Sequence, residues 1–146
     1  WHLLALRAMV ASRDERVAAI AAKSVKEVAY HAERSSDWVI RLGDGTDRSH
    51  RRMQDAIDAL WMYTGELFLP DAVDEEMAEA GIGPDLAALA APWRDSVAAV
   101  LANATIALPS DDFAQRGGRQ GRHTEHLGHL LTEMQFLQRA YPDARW

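Results

Sequence analysis

Apolar residues along this chain recur at steps of three and four rather than two, a rhythm that predicts helices and no sheet. The opening WHLLALRAMVAS already reads as helix interior, with Ser12-Arg-Asp as a break after it. A long helix is then predicted to about Leu42, because Val17, Ala21, Val25, Val28, Ala32, Val39 and Leu42 fall on one stripe. Gly43-Asp-Gly45 stops it, and Thr46 is placed to cap the next helix. That helix carries Met53, Ala56, Ile57, Leu60, Thr64 and Leu67 and is expected to end before Pro70, completing an antiparallel pair.

The segment Asp71 to Glu79 holds five acids and no base, which predicts a solvated connection with at most one short helical turn before Gly81-Ile-Gly-Pro84. Pro92 suits a first turn, so a further helix is expected from near Trp93 through Val97, Val100 and Leu101, with ATIALP extended after it. A glycine-rich basic loop, Arg116 to Arg122, precedes the last helix. That helix starts near Thr124, turns Leu127, Leu130, Leu131, Met134 and Leu137 toward a core, and stops by Pro142.

At 146 residues the chain is long enough to bury most of its apolar side chains in one core, so a single all-α domain over residues 1–146 is expected. Its 22 acidic and 16 basic residues leave a net charge of −6, which repels polyphosphate and argues against a nucleic-acid partner. There is no cysteine, which excludes disulfides, thiolate metal sites and cysteine nucleophiles. No apolar run is long enough to span a membrane and no secretory signal is visible, so a soluble cytoplasmic protein is expected. Because Trp1 stands where a cap would be and no methionine precedes it, the sequence is read as the C-terminal part of a longer polypeptide.

The chemistry-bearing residues cluster in two places. Carboxylate-bridged di-iron bundles place a Glu and a His three apart on a helix, so that both reach the same pair of metals. In HTEHLGH, Glu125 meets Gly128 at three and His129 at four; in KEVAYH, Glu27 meets Tyr30 at three and His31 at four. Two matching slips point to a ferritin-like scaffold whose metal ligands are absent or out of register. A zincin motif needs two histidines four apart, and His126 and His129 are three apart. His126, His129 and Glu133 occupy neighbouring helix positions, which leaves an adventitious divalent site open beside the simpler reading of a polar flank. For Glu27 and His31 the choice lies between a structural hydrogen bond and a ligand or catalytic role.

In RGGRQGR, Arg116, Arg119 and Arg122 offer guanidinium groups to a phosphate or to an acidic protein surface, and the residues alone leave both open. Tyr30 and Met62 fall nearly opposite the main apolar faces of their helices and Phe136 well to one side. Large apolar groups on a second face predict that at least two of the three are covered, by neighbouring helices of the intact subunit or by a partner subunit, and that in this chain alone all three are more exposed than Leu60 or Leu131.

The segments KEVAYH, SSDWVIRLGDGT, MQDAIDALWMYTGELF and GRQGRHTEHLGHLLTEMQFLQRAYPDARW resemble the C-subunit family of the bacterial phenylacetyl-CoA epoxidases, over nearly the whole chain. The resemblance implies a ferritin-like antiparallel bundle lacking its N-terminal helices. It also implies a non-catalytic structural subunit of a multicomponent monooxygenase, paired with a homologous catalytic A subunit. That partner would hold the di-iron centre and epoxidise the aromatic ring of phenylacetyl-CoA, while this chain binds no cofactor. An autonomous ferritin-like di-metal oxidase is the alternative, and it requires a full ligand set.

Overall fold

A computed structural model describes residues 1–145. Among them there are helices and turns and no strand. Six α-helices run in order: α1 (His2–Met9), α2 (Glu15–Gly43), α3 (Asp47–Trp61), α4 (Ala72–Glu79), α5 (Ala90–Asn103) and α6 (Glu125–Ala140), with short 3-10 turns at Gly65–Phe68, Ala87–Leu89 and Gly118–Gln120. The chain falls into two compact units, residues 1–115 and 116–146.

In the first unit α2 is the spine, packed by α1, α3 and α5. Asp14 starts it by accepting from the Arg16 and Val17 amides at 2.9 and 3.0 Å, and Thr46 starts α3 by accepting from Ser49 N at 3.2 Å. These side chains satisfy amides that a helix leaves without partners in its first turn. The main core joins Trp61, Leu101, Ala104 and Ile106, flanked by Val39, Ile40, Met53, Ile57, Trp93 and Val97. A second cluster, Ala5, Leu86 and Leu89, gathers Trp1, Leu4, Met9 and Phe68.

Close backbone approach builds the junction between α2 and the end of α5. A Cβ on Gly43 would stand 2.4 Å from the Ala104 carbonyl oxygen, so only glycine lets the two meet. Helix α5 ends in a Schellman motif: Thr105 N donates to Ala102 O, and Ile106 N donates to Leu101 O at 3.0 Å. The left-handed residue of this motif is Thr105, with φ 58°, where a β-branched side chain is strained. Packing holds it there, because Ile106 and Leu101 are both buried beside it.

Several expectations are corrected. Helix α3 ends at Trp61, so Thr64 and Leu67, expected on its stripe, lie in the following turns. Leu60 is 62% exposed and belongs to no core. The acidic segment forms the two-turn helix α4, opened by a capping box in which Asp71 accepts from Asp74 N and Asp74 accepts from Asp71 N. Gly81, at φ 70°, closes it with a second Schellman motif, Ile82 N donating to Met77 O at 2.9 Å. The acids here cap a helix as well as solvate it. Helix α5 starts at Ala90, because a proline within the first turn removes an amide that had no partner. After it, ATI forms the left-handed turn described above rather than an extended strand.

The second unit consists of the basic loop and α6, which starts at Glu125 after Thr124 and ends at Ala140. None of its helical residues is buried. Leu130, Met134 and Leu137 are 55%, 69% and 51% exposed, so the stripe expected to face a core is open.

Candidate functional site

Glu27 and His31 sit one turn apart on α2. Their side chains approach to 3.9 Å while remaining 78% and 61% exposed, an ion-pair distance rather than a hydrogen bond. Around them the same helix displays Tyr30, whose ring centroid lies 6.1 Å from that of His31, and Arg34, whose guanidinium lies 5.1 Å from the Trp38 ring centroid. Tyr30 and Trp38 are both exposed. In this chain they form part of an exposed polar and aromatic surface.

On α6, Glu125, His126, His129 and Glu133 are all exposed. Among the described residues no three His, Asp or Glu side chains come together in a way that could hold a metal ion. A di-iron pair needs carboxylates and imidazoles converging on a bundle interior from facing helices. Glu27 and His31 on α2, and Glu125 and His129 on α6, are exposed in this chain, and within neither unit do the described residues form such a converging set. No charged or polar side chain is buried among the described residues.

The basic loop is an ordered structure. Gly117 and Gly121 take left-handed conformations at φ 101° and 83°, and the Gly117 carbonyl accepts from Gln120 N at 3.0 Å and Arg122 N at 2.9 Å. Gly121 N donates to Gly118 O. Three backbone amides are thereby used inside the loop rather than pointed at a ligand. A Cβ on Gly117 would meet the Arg122 Cδ at 2.7 Å, so the arginine stem crosses that glycine closely. Arg116, Arg119 and Arg122 are exposed.

Of the proposed interface residues, Tyr30 and Phe136 are 62% and 63% exposed, whereas Met62 is half-buried and its carbonyl accepts from Gln115 N at 2.8 Å. Leu60 is as open as Tyr30, while Leu131, at 38%, is more covered than either aromatic. The expected ordering therefore holds against Leu131 only, and only for Tyr30 and Phe136.

A polar network at the edge of the core had no signal in the sequence pattern. Trp61 Nε1 donates to Asp111 at 2.8 Å, and Arg94 pairs with the other oxygen of that carboxylate. Gln54 donates to Ala107 O and accepts from Ala107 N, tying α3 to the segment after α5 at 3.1 and 2.8 Å. The Trp93 ring bridges Trp61 and Phe68, with centroids 5.6 and 5.2 Å away. Pairings 53 and 50 residues apart leave no periodic trace. A cleft of about 330 Å³ opens beside this group, lined among others by Leu4, Ser36, Val39, Trp93 and Val97. The Ser36 hydroxyl donates to Ala32 O within its own helix, and Arg7, Ser35 and Ser96 add polar groups to a mostly apolar lining.

Comparison with known proteins adds to this geometry. A family described as "Phenylacetic acid catabolic protein" matches residues 1–146. The chain is 44% identical over its whole length to the C subunit of the 1,2-phenylacetyl-CoA epoxidase of Escherichia coli (strain K12), and it spans 59% of that protein's length. Among the described residues no helix is long and apolar enough to cross a membrane.

Proposed function

Because the chain belongs to the phenylacetic acid catabolic protein family, we propose that it serves as a non-catalytic structural subunit of a cytoplasmic oxygenase complex acting on phenylacetyl-CoA. In this reading it pairs with and stabilises a homologous catalytic subunit that holds the di-iron centre, and it binds no cofactor itself. The observation that carries the reading is the placement of its would-be ligands: Glu27 and His31 point outward from α2, 3.9 Å apart and mostly exposed. A four-residue Glu-to-His step is out of register with the three-residue step that di-iron ligands use. The identity to the C subunit of an epoxidase supports the same assignment.

The test is co-expression of the intact subunit with its catalytic partner, followed by size-exclusion chromatography and metal analysis of each separated chain. One stable complex with iron in the partner alone is the expected result. About two irons per copy of this chain, lost in a Glu27→Ala, Glu125→Ala variant, would overturn the reading in favour of an autonomous di-metal oxidase.

A further inference from the structure

Residues 107–115 close the first unit and run alongside α3. Three tethers hold them, in order along that helix. At the near end the Ala107 amide and carbonyl are both bonded by the Gln54 side chain, at 2.8 and 3.1 Å. In the middle, Asp111 accepts from Trp61 Nε1 at 2.8 Å and pairs with Arg94 through its other oxygen, so one carboxylate joins α3 to α5. At the far end Gln115 N donates to Met62 O at 2.8 Å.

Between the tethers the segment stands off α3. A space of about 400 Å³ is lined by Asp58, Trp61 and Met62 on one side and by Pro109, Ser110 and Phe113 on the other, so polar bonds rather than packing hold the middle. The segment is also stiff. Pro109 fixes its own φ and restricts Leu108 to extended backbone, and the Ser110 hydroxyl donates to the Asp112 carboxylate. Ile106 anchors the start, buried in the main core behind the strained turn at Thr105. A stiff segment with one firm anchor and few tethers beyond it opens as a piece more readily than it frays residue by residue.

We propose that residues 107–115 form a hinged strap along α3 that opens and shuts as one piece, turning on the anchor at Ile106, with the Asp111 carboxylate as its clasp. Opening breaks the bonds at Gln54, Trp61 and Met62 together and admits water to the edge of the main core at Trp61. The inference goes beyond the subunit reading above and does not rest on it.

The test is amide hydrogen exchange of the intact subunit, read at Ala107 and Gln115. Ala104 and Ile106 serve as references, because their amides bond to Val100 O and Leu101 O at the end of α5. Asp111→Ala removes the clasp, and that side chain is 60% exposed, so the fold should survive. Exchange is expected to rise equally at Ala107 and Gln115, by about tenfold for the loss of a charge-assisted pair, with the references unchanged. Lengthening the untied loop would by itself give only about threefold. Gln54→Ala is the reverse check: it cuts the near tether and should raise exchange at Gln115 as well. A rise of about threefold or less, a rise at one end only, or a Gln115 amide that Gln54→Ala leaves unchanged would overturn the strap, because the tethers then act singly. An equal rise in the references would overturn it too, because the segment then unfolds with the core.

Discussion

Helices α5 and α6 are alike on paper, 14 and 16 residues long with leucines and valines on a helical stripe, yet they live in different surroundings. In α5, Leu101 is 2% exposed, the chain end is locked by a Schellman motif, and Trp93 stacks into an aromatic group with Trp61 and Phe68. In α6 no residue is buried, and the cap residue Thr124 makes no side-chain hydrogen bond to the first turn. A helix of this length is marginal in water by itself and owes most of its stability to what covers its apolar face. The difference between the two is therefore one of cover, not of sequence propensity. It assigns α5 to holding the first unit together, whereas α6 has no buried residue.

The largest expected effect lies where the first unit is tightest. Gly43→Ala brings a methyl group to within 2.8 Å of the Ala104 Cβ and against its carbonyl, and backbone cannot step aside cheaply. A loss of about 3 kcal/mol is expected in chemical denaturation, well beyond the gain in helix propensity. A neutral result would show that the α2–α5 junction is looser than its geometry.

Next comes a matched pair of leucines. Leu101→Ala should cost about 3 kcal/mol, the transfer and cavity terms of a buried leucine. Leu130→Ala, measured on the subunit without its partner, should cost less than about 0.5 kcal/mol, as for an exposed site. Equal losses would break the comparison, because α6 would then be packed as α5 is.

The smallest effect has the opposite sign. A Cβ on Gly128 meets nothing within 4 Å, so Gly128→Ala should stabilise α6 by about 0.7 kcal/mol, read as greater helicity or slower amide exchange in that helix. Placed beside Gly43→Ala, the same substitution is expected to help in one unit and harm in the other. A destabilising Gly128→Ala would mean that a close neighbour covers that position.

Much of the helical layout is legible from the letters, because caps and breaks are local. Thr46 and Gly43-Asp-Gly45 mark the turn between α2 and α3, and Thr124 marks the start of α6. The acidic stretch misleads because its charge density outweighs, to the eye, the Asp71 and Asp74 capping pair, which is equally local. For the candidate site, the four-residue Glu-to-His spacings are legible as they stand, out of register with the three-residue step of di-iron ligands. That Tyr30 lies beside His31, and Arg34 over Trp38 further along the same helix, required coordinates.

The sequence by itself determined an all-helical chain, the positions of most helix starts, the register of the would-be ligands and the kinship to an epoxidase subunit. Each of these depends on residues within a few positions of one another, or on identity along the chain. Only the tertiary structure decided which apolar stripes are covered, that Leu60 stays open while Leu101 is sealed, and that Trp61 finds Asp111 fifty residues away. It also decided that Thr105 accepts a strained left-handed conformation so that Ile106 can reach the core. Periodicity defines a face, but whether anything lies against that face depends on contacts between distant parts of the chain, and a local pattern does not encode them.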